Sequence, residues 1–197
     1  MRMHRRLVLT AAAALCLAVV TPAHAAPALT IETIPASGTF SFTTGNGILP
    51  TWTAEDIVLV GVSPGSVVTA SSNLTARVSL PIIAKTGTAN AAAGGFRLIN
   101  TTTGVNVRCS NPTIDTRARL VDCVLADGTN ASLFVIKDIR TRARVTGNTT
   151  ITTIFRGVQL RINGQEQADY LNDVLDTTAF SPYVTVGTGD LVVTRDR

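Results

Sequence analysis

The sequence predicts an all-β fold: an antiparallel β-sandwich, immunoglobulin-like or of a related two-sheet kind, with one or two short helices and one disulfide. Three observations carry that expectation. Beyond the first 25 residues nearly every segment is a short β-prone run broken by Gly, Asn, Asp or Pro, and aromatic residues make up only 5% of the chain. In LTARVSLPI, Leu74, Ala76, Val78, Leu80 and Ile82 alternate with Thr75, Arg77 and Ser79, so one face is apolar and the other polar. Cys109 and Cys123 flank a segment with a turn signal, as two strands joined by a staple would.

The chain opens on MRMHRRLVLTAAAALCLAVVTPAHA. A basic start (Arg2, Arg5, Arg6), an apolar run from Leu7 to Val20 and the small-x-small triplet Ala23-His24-Ala25 together read as a secretory signal peptide, cleaved after Ala25 or Ala26. The run falls short of the roughly 20 residues a spanning helix needs. Leu15 precedes Cys16 where a lipidation site carries a small residue, and the surroundings of Arg5-Arg6 fit a twin-arginine signal poorly. What remains, 26–197, is one secreted domain of ordinary size.

Removal of the leader changes the chemistry of the chain. Three of the 17 Lys and Arg residues leave with it and none of the 13 acidic ones, so the net charge drops from +4 to near +1, which is no footprint of nucleic-acid binding. Both histidines, His4 and His24, leave too. Without histidine there is no Ser-His-Asp or Cys-His mechanism and no histidine metal site.

Strands are expected at Leu29–Ile34, Thr39–Thr44, Leu74–Ile82, Gly95–Asn100, Gly104–Cys109, Ala118–Ala126, Ser132–Val145, Thr150–Ile162 and Leu191–Arg195. Pro81 implies an edge position or a bulge. AKTGTANAAAGG, Ala84 to Gly95, reads as a loop, and Asn111-Pro112 as the turn between the two cysteines. In an oxidising compartment that pair is a disulfide; the segment lacks the further soft ligands of a metal site and the C-x-x-C spacing of a redox pair. Two helices are expected. TAEDIVLVG starts at Thr53, with Asp56 three residues on, and stops at Gly61; NGQEQADYLNDVL, Asn163 to Leu175, puts Ala168, Leu171, Val174 and Leu175 on one face.

The strand KDIRTRARV places Arg140, Arg142 and Arg144 on one face, where they could grip sulfate, phosphate or an acidic polymer. The plainer reading is that the face is solvated, its charge discouraging edge-to-edge pairing, or that it meets the acidic Glu166, Asp169, Asp173 and Asp176 of the late helix and its flank. Those acids, three and four apart, line a helix face and form no calcium loop or glycosidase pair. Trp52 reads as core, and Phe180 and Tyr183 as aromatics that pin the terminal strand into the core, although an exposed Trp could stack on carbohydrate and Tyr183 with Phe180 could border a pocket. The sequons at Asn73, Asn100, Asn130 and Asn148 are chance in so threonine-rich a chain.

The series DIVLVGVSPGSVVTASSNLTARVSLPI, GGFRLIN, GVNVRCSNPTIDTRARLVDCVL, SLFVI and LRINGQEQADYLNDVLDTTAFSPYVTVGTGDLVV resembles exported β domains of actinobacteria related in pattern to the haemin-associated HtaA domain. The similar parts are a Gly-Gly turn before a strand, an Asn-Pro or Asp-x-x-Ile-Asp-type connection, and a late short helix leading to Ala179-Phe180 and a final Gly-containing strand. The resemblance spans Ile57 to Val193. It implies an envelope binding or adhesion role and, in some members, haem capture by a tyrosine backed by a histidine. Here the processed chain has no histidine, and Tyr170 and Tyr183 lie in and just after the late helix, so the haem site does not carry over.

The function expected from all this is a non-catalytic secreted or cell-envelope binding protein that contacts an anionic cell-wall polymer, or another envelope protein, through Arg140, Arg142 and Arg144. No cofactor, metal, nucleic acid or membrane span is expected, and the chain ends at LVVTRDR without a sorting signal. Two other classes stand beside it: a subunit that self-assembles strand to strand, which predicts concentration-dependent oligomers, and a glycosidase working with two carboxylates across a cleft.

Overall fold

The computed structural model describes residues 32–197. The expected leader and the first half of the strand expected at Leu29–Ile34 lie outside the described residues. The elements run β1 Thr33–Thr44, α1 Ile48–Ala54, β2 Ile57–Val62, β3 Ser66–Thr69, β4 Ala76–Thr86, β5 Ala89–Ala92, β6 Gly95–Asn100, β7 Asn106–Asp115, β8 Leu120–Val124, β9 Asn130–Thr146, β10 Thr150–Ile162, α2 Gly164–Leu175 and β11 Thr185–Asp196.

The chain is all-β with one disulfide and two helices, but it is not a two-sheet sandwich. Strands pair antiparallel in the order β7, β5, β4, β1, β11, β10, β9, β8, and β8 pairs back onto β7, so eight strands close into a barrel. Alternation along a strand is the same in a sandwich and in a barrel, which is why the pattern in the sequence did not separate them. Closure depends on the last half of β7, whose Asp115 faces Ala89 of β5 on one edge and Leu120 of β8 on the other. The first half of β7 carries a wing instead: β6 pairs with it at Phe96–Cys109, and β2 pairs with β6.

Several local expectations change accordingly. The Ala84–Gly95 stretch is the end of β4, a tight turn and β5, not a loop. Asn111-Pro112 is no turn: β7 runs through it, with Asn111 at φ 43° where the β7/β8 register shifts, and the chain reverses after Asp115. A bulge there costs only one local ladder step, and the N–H that Pro112 lacks is not missed at such a site. Cys109 and Cys123 are bonded, on the neighbouring strands β7 and β8. Pro81 sits where β4 passes from pairing with β3 to pairing with β5, a local gap in one edge.

The first helix begins earlier than expected. It spans Ile48–Ala54, buries Leu49 and Trp52, and carries Pro50 in its first turn, where a missing N–H is harmless. The β-branched run Ile57–Val62 that follows is a strand rather than helix. The second helix, Gly164–Leu175, buries Ala168, Leu171 and Leu175 on the face the sequence indicates. Among the described residues no helix is long and apolar enough to cross a membrane.

One contact shows how tightly the barrel wall is drawn. A Cβ on Gly189 of β11 would stand 1.9 Å from the carbonyl oxygen of Ser41 in β1. Only glycine lets the two backbones approach this closely. Inside, Phe40, Val78, Leu80, Ile136, Leu160 and Leu191 are fully buried, so the middle of the barrel is packed solid.

Candidate functional site

The two ends of the barrel differ. At one end β10 runs through Ile162 into α2, and β1 runs through Thr44 towards α1. Side chains fill this end: Trp52 packs on Phe180 with ring centroids 5.4 Å apart, and the buried Asn100 donates through Nδ2 to the Leu175 carbonyl that ends α2. Trp52 and Phe180 are thus core residues, but Tyr183 is not, contrary to the expectation: it is exposed, in the turn before β11, and does not pin that strand. Burial and that hydrogen bond also remove Asn100 as a glycosylation site.

The other end is open and holds a cavity of about 470 Å³. Its cations are Lys85 from β4, Arg117 from the β7–β8 turn, Arg142 and Arg144 from β9, and Arg195 from β11. Ile139, Ile151 and Phe155 form its apolar part, and Thr88, Thr116 and Thr153 add hydroxyls. No carboxylate stands among the lining residues.

The register of the ladders explains the convergence. Residues paired across strands share a face. Phe155, buried on the inner face of β10, is paired with Arg142; Thr153 is paired with Arg144; Ile151 is paired on its other side with Arg195. Those pairings aim three guanidiniums at the barrel axis from two different strands. The Arg142 guanidinium carbon lies 5.3 Å from the centroid of the Phe155 ring, a cation–π contact that orients the fork over the cavity's apolar wall.

Arg140 does not join them, contrary to the single face that plain alternation suggests. Gly157 in β10 has φ +64°, its N–H is held by Asp190 Oδ1, and the strands lose the Arg140/Gly157 ladder pair. The irregularity changes which face points inward, and the Arg140 side chain lies across Gly157 instead.

The charges in the cavity feel one another. Burial lowers the Lys85 ammonium below its ordinary value, and Arg195 and Arg142 push it the same way, against the opposing pull of Asp115. Asp115 itself is engaged: its Oδ1 accepts from the Thr88 hydroxyl at 2.9 Å and from the N–H groups of Arg117 and Ala118 at 2.8 and 3.0 Å. Burial works against ionisation of Asp115, but these hydrogen bonds and Lys85 together hold its carboxyl below the usual value. Next to Lys85 on the inner face, the buried Asn90 donates to the Ile114 and Thr88 carbonyls, while its Oδ1 finds no partner in the protein.

The acidic helix does not neutralise this cavity. Glu166, Asp169, Asp173 and Asp176 are exposed on or beside α2, at the opposite end. Phe155 and Ile162 are seven residues apart along β10, about 23 Å at the usual rise. That is beyond a Debye length of ~8 Å at physiological salt.

Lys85, Arg117 and Arg195 carried no local signal in the sequence. Lys85 stands in a stretch that reads as a loop, Arg117 in one that reads as a disulfide-closed turn, and Arg195 near the chain end. Only the long-range pairings bring them beside β9.

No protein-family profile matches the chain, and no curated protein matches it. Among solved structures, the heme binding protein HtaB from Corynebacterium glutamicum is similar to it, with 12% identity over 84% of this chain and 98% of that one and a TM-score of 0.49. A likeness of that size carries no weight for the site or its ligand.

Proposed function

We propose that this protein is a non-catalytic binding protein of the extracellular or envelope space, and that it holds an anionic ligand at the open end of its barrel. The observation that supports this most is the convergence of five cations, from β4, the β7–β8 turn, β9 and β11, on one cavity whose lining includes no carboxylate. Like charges repel, Asp115 offsets part of this at Lys85, and the repulsion that remains is relieved when an anion enters. Guanidinium groups suit the task, since each presents a planar fork to carboxylate, sulfate or phosphate oxygens.

An extracytoplasmic setting fits the Cys109–Cys123 disulfide, because such bonds persist where the surroundings are oxidising, and it fits the leader read from the sequence. Binding without chemistry fits the walls of the cavity. Cations, threonine hydroxyls and apolar side chains can grip and orient a ligand, but the carboxylate pair that a glycosidase needs is not among them.

Calorimetric titration of the processed protein with pyrophosphate tests the reading. Wild type should bind saturably, more weakly as salt rises, and the Arg142→Ser/Arg144→Ser double variant at least tenfold more weakly. Equal binding by both proteins, or by neither, would refute it.

A further inference from the structure

The shape and lining of the cavity narrow the ligand class. This step rests on the anion reading above. We infer that the occupant is a compact polyanion with an apolar body, a small molecule that enters the barrel end-on, rather than a long acidic chain laid across the surface.

Compactness follows from the floor and size of the cavity. Eight strands close beneath it, whereas at the mouth the stretch of β9 from Ile139 to Thr146 is paired with β10 on one edge and lies beyond the β8 ladder on the other. Depth is limited because Phe40 and Leu191 are fully buried in the packed middle of the barrel. The remaining space, about 470 Å³, lies in the range usual for small-molecule sites.

Multiple charge follows from the count and placement of cations. Arg142 and Arg144 stand two residues apart on β9, with Arg195 two strands away on β11 and Lys85 and Arg117 on other segments of the rim. One carboxylate can engage one fork, or two adjacent ones. A ligand with acidic groups on two or more sides is needed to engage the ring.

The apolar body follows from Ile139, Ile151 and Phe155, which line the same cavity. A fully hydrated inorganic anion would leave that surface wet, whereas an apolar moiety would cover it and displace the water. Arg142, already seated against the Phe155 ring, would then contact both parts of the ligand.

Naphthalene trisulfonate and pyrophosphate carry similar charge near neutral pH and differ in the apolar body, so their comparison is the test, with dextran sulfate as the polymer. Affinity is followed by ligand fluorescence or calorimetry, and folding by emission of Trp52. Naphthalene trisulfonate should bind one to one and at least tenfold more tightly than pyrophosphate, each displacing the other. Ile139→Thr should shrink that advantage to threefold or less by weakening naphthalene trisulfonate more than pyrophosphate; Ile151→Thr gives the same readout should Ile139→Thr not fold. Arg140→Ser, outside the cavity, should bind as wild type does. Equal affinity for the two small anions would overturn the apolar part and leave the anion reading standing. Tight binding of dextran sulfate that naphthalene trisulfonate cannot displace would overturn the compact occupant in favour of a polymer. Absence of saturable binding by all three would defeat the anion reading itself.

Discussion

Arg142 stands across the β9–β10 ladder from Phe155, its guanidinium carbon 5.3 Å from the ring centroid. The contact fixes a long, otherwise mobile side chain at the mouth of the barrel, so less freedom is lost when it meets a ligand. Lysine keeps the charge but presents no planar fork. Arg142→Lys should therefore weaken pyrophosphate binding about threefold and Arg142→Ser about tenfold, which is roughly 1.4 kcal/mol. An Arg142→Ser protein that binds as wild type does would place the ligand elsewhere.

The disulfide joins β7 to β8 just where β7 leaves the barrel for the wing, and both sulfurs are buried. Closing a loop of this length contributes about 3 kcal/mol in the chain-entropy model. The Cys109→Ala/Cys123→Ala double variant should lose about that much in urea unfolding followed by Trp52 emission. A loss below about 1 kcal/mol would show that the β7–β8 ladder holds without the bond.

Asp115 gives an acid-side pH dependence. Its folded-state carboxyl lies below the ordinary value while the unfolded one does not, so the native state favours its charge. The resulting stability is fully present above the unfolded value, about 4, and is lost as pH falls through the folded one. Wild type should exceed Asp115→Asn in urea midpoint at neutral pH, and the two should converge as the pH is lowered below about 4. A gap that stays constant with pH would mean that the hydrogen bonds matter and the charge does not.

Haemin is a useful probe because the only histidines in the sequence, His4 and His24, fall in the segment that the sequence reads as a leader. Tyr170 lies within α2, at the end of the barrel away from the cavity, and Tyr183 is exposed just before β11 begins, at that same end. Titration of the processed protein should give no stoichiometric Soret shift. A tight one-to-one shift would show an axial ligand that these positions do not supply.

Much of the local structure was legible in the sequence because it is set by neighbours along the chain. The run Thr150–Ile162 is one strand with the bounds its composition indicates, α2 lies within one residue of its pattern, and Ala76, Val78, Leu80 and Ile82 are buried as their alternation requires. The closure of the barrel was not legible. It depends on Ala89–Ala92, four small residues of low strand propensity that become a strand only because β4 and β7 offer partners on both edges. The site divides along the same line. Arg142 and Arg144 are visible as a pair on one strand, but Gly157 removes Arg140 from their face, and Lys85, Arg117 and Arg195 arrive through contacts between distant segments.

Amide chemical-shift mapping during titration with pyrophosphate is the most direct test of the cationic mouth. Saturable, salt-sensitive shifts should concentrate at Lys85, Thr88, Thr116, Arg117, Arg142, Arg144, Thr153 and Arg195, with α2 and the β2–β6 wing unmoved. Shifts scattered over the surface, or confined to the exposed Arg97 of that wing and its β7 partner Arg108, would contradict the assignment of this cavity as the binding site.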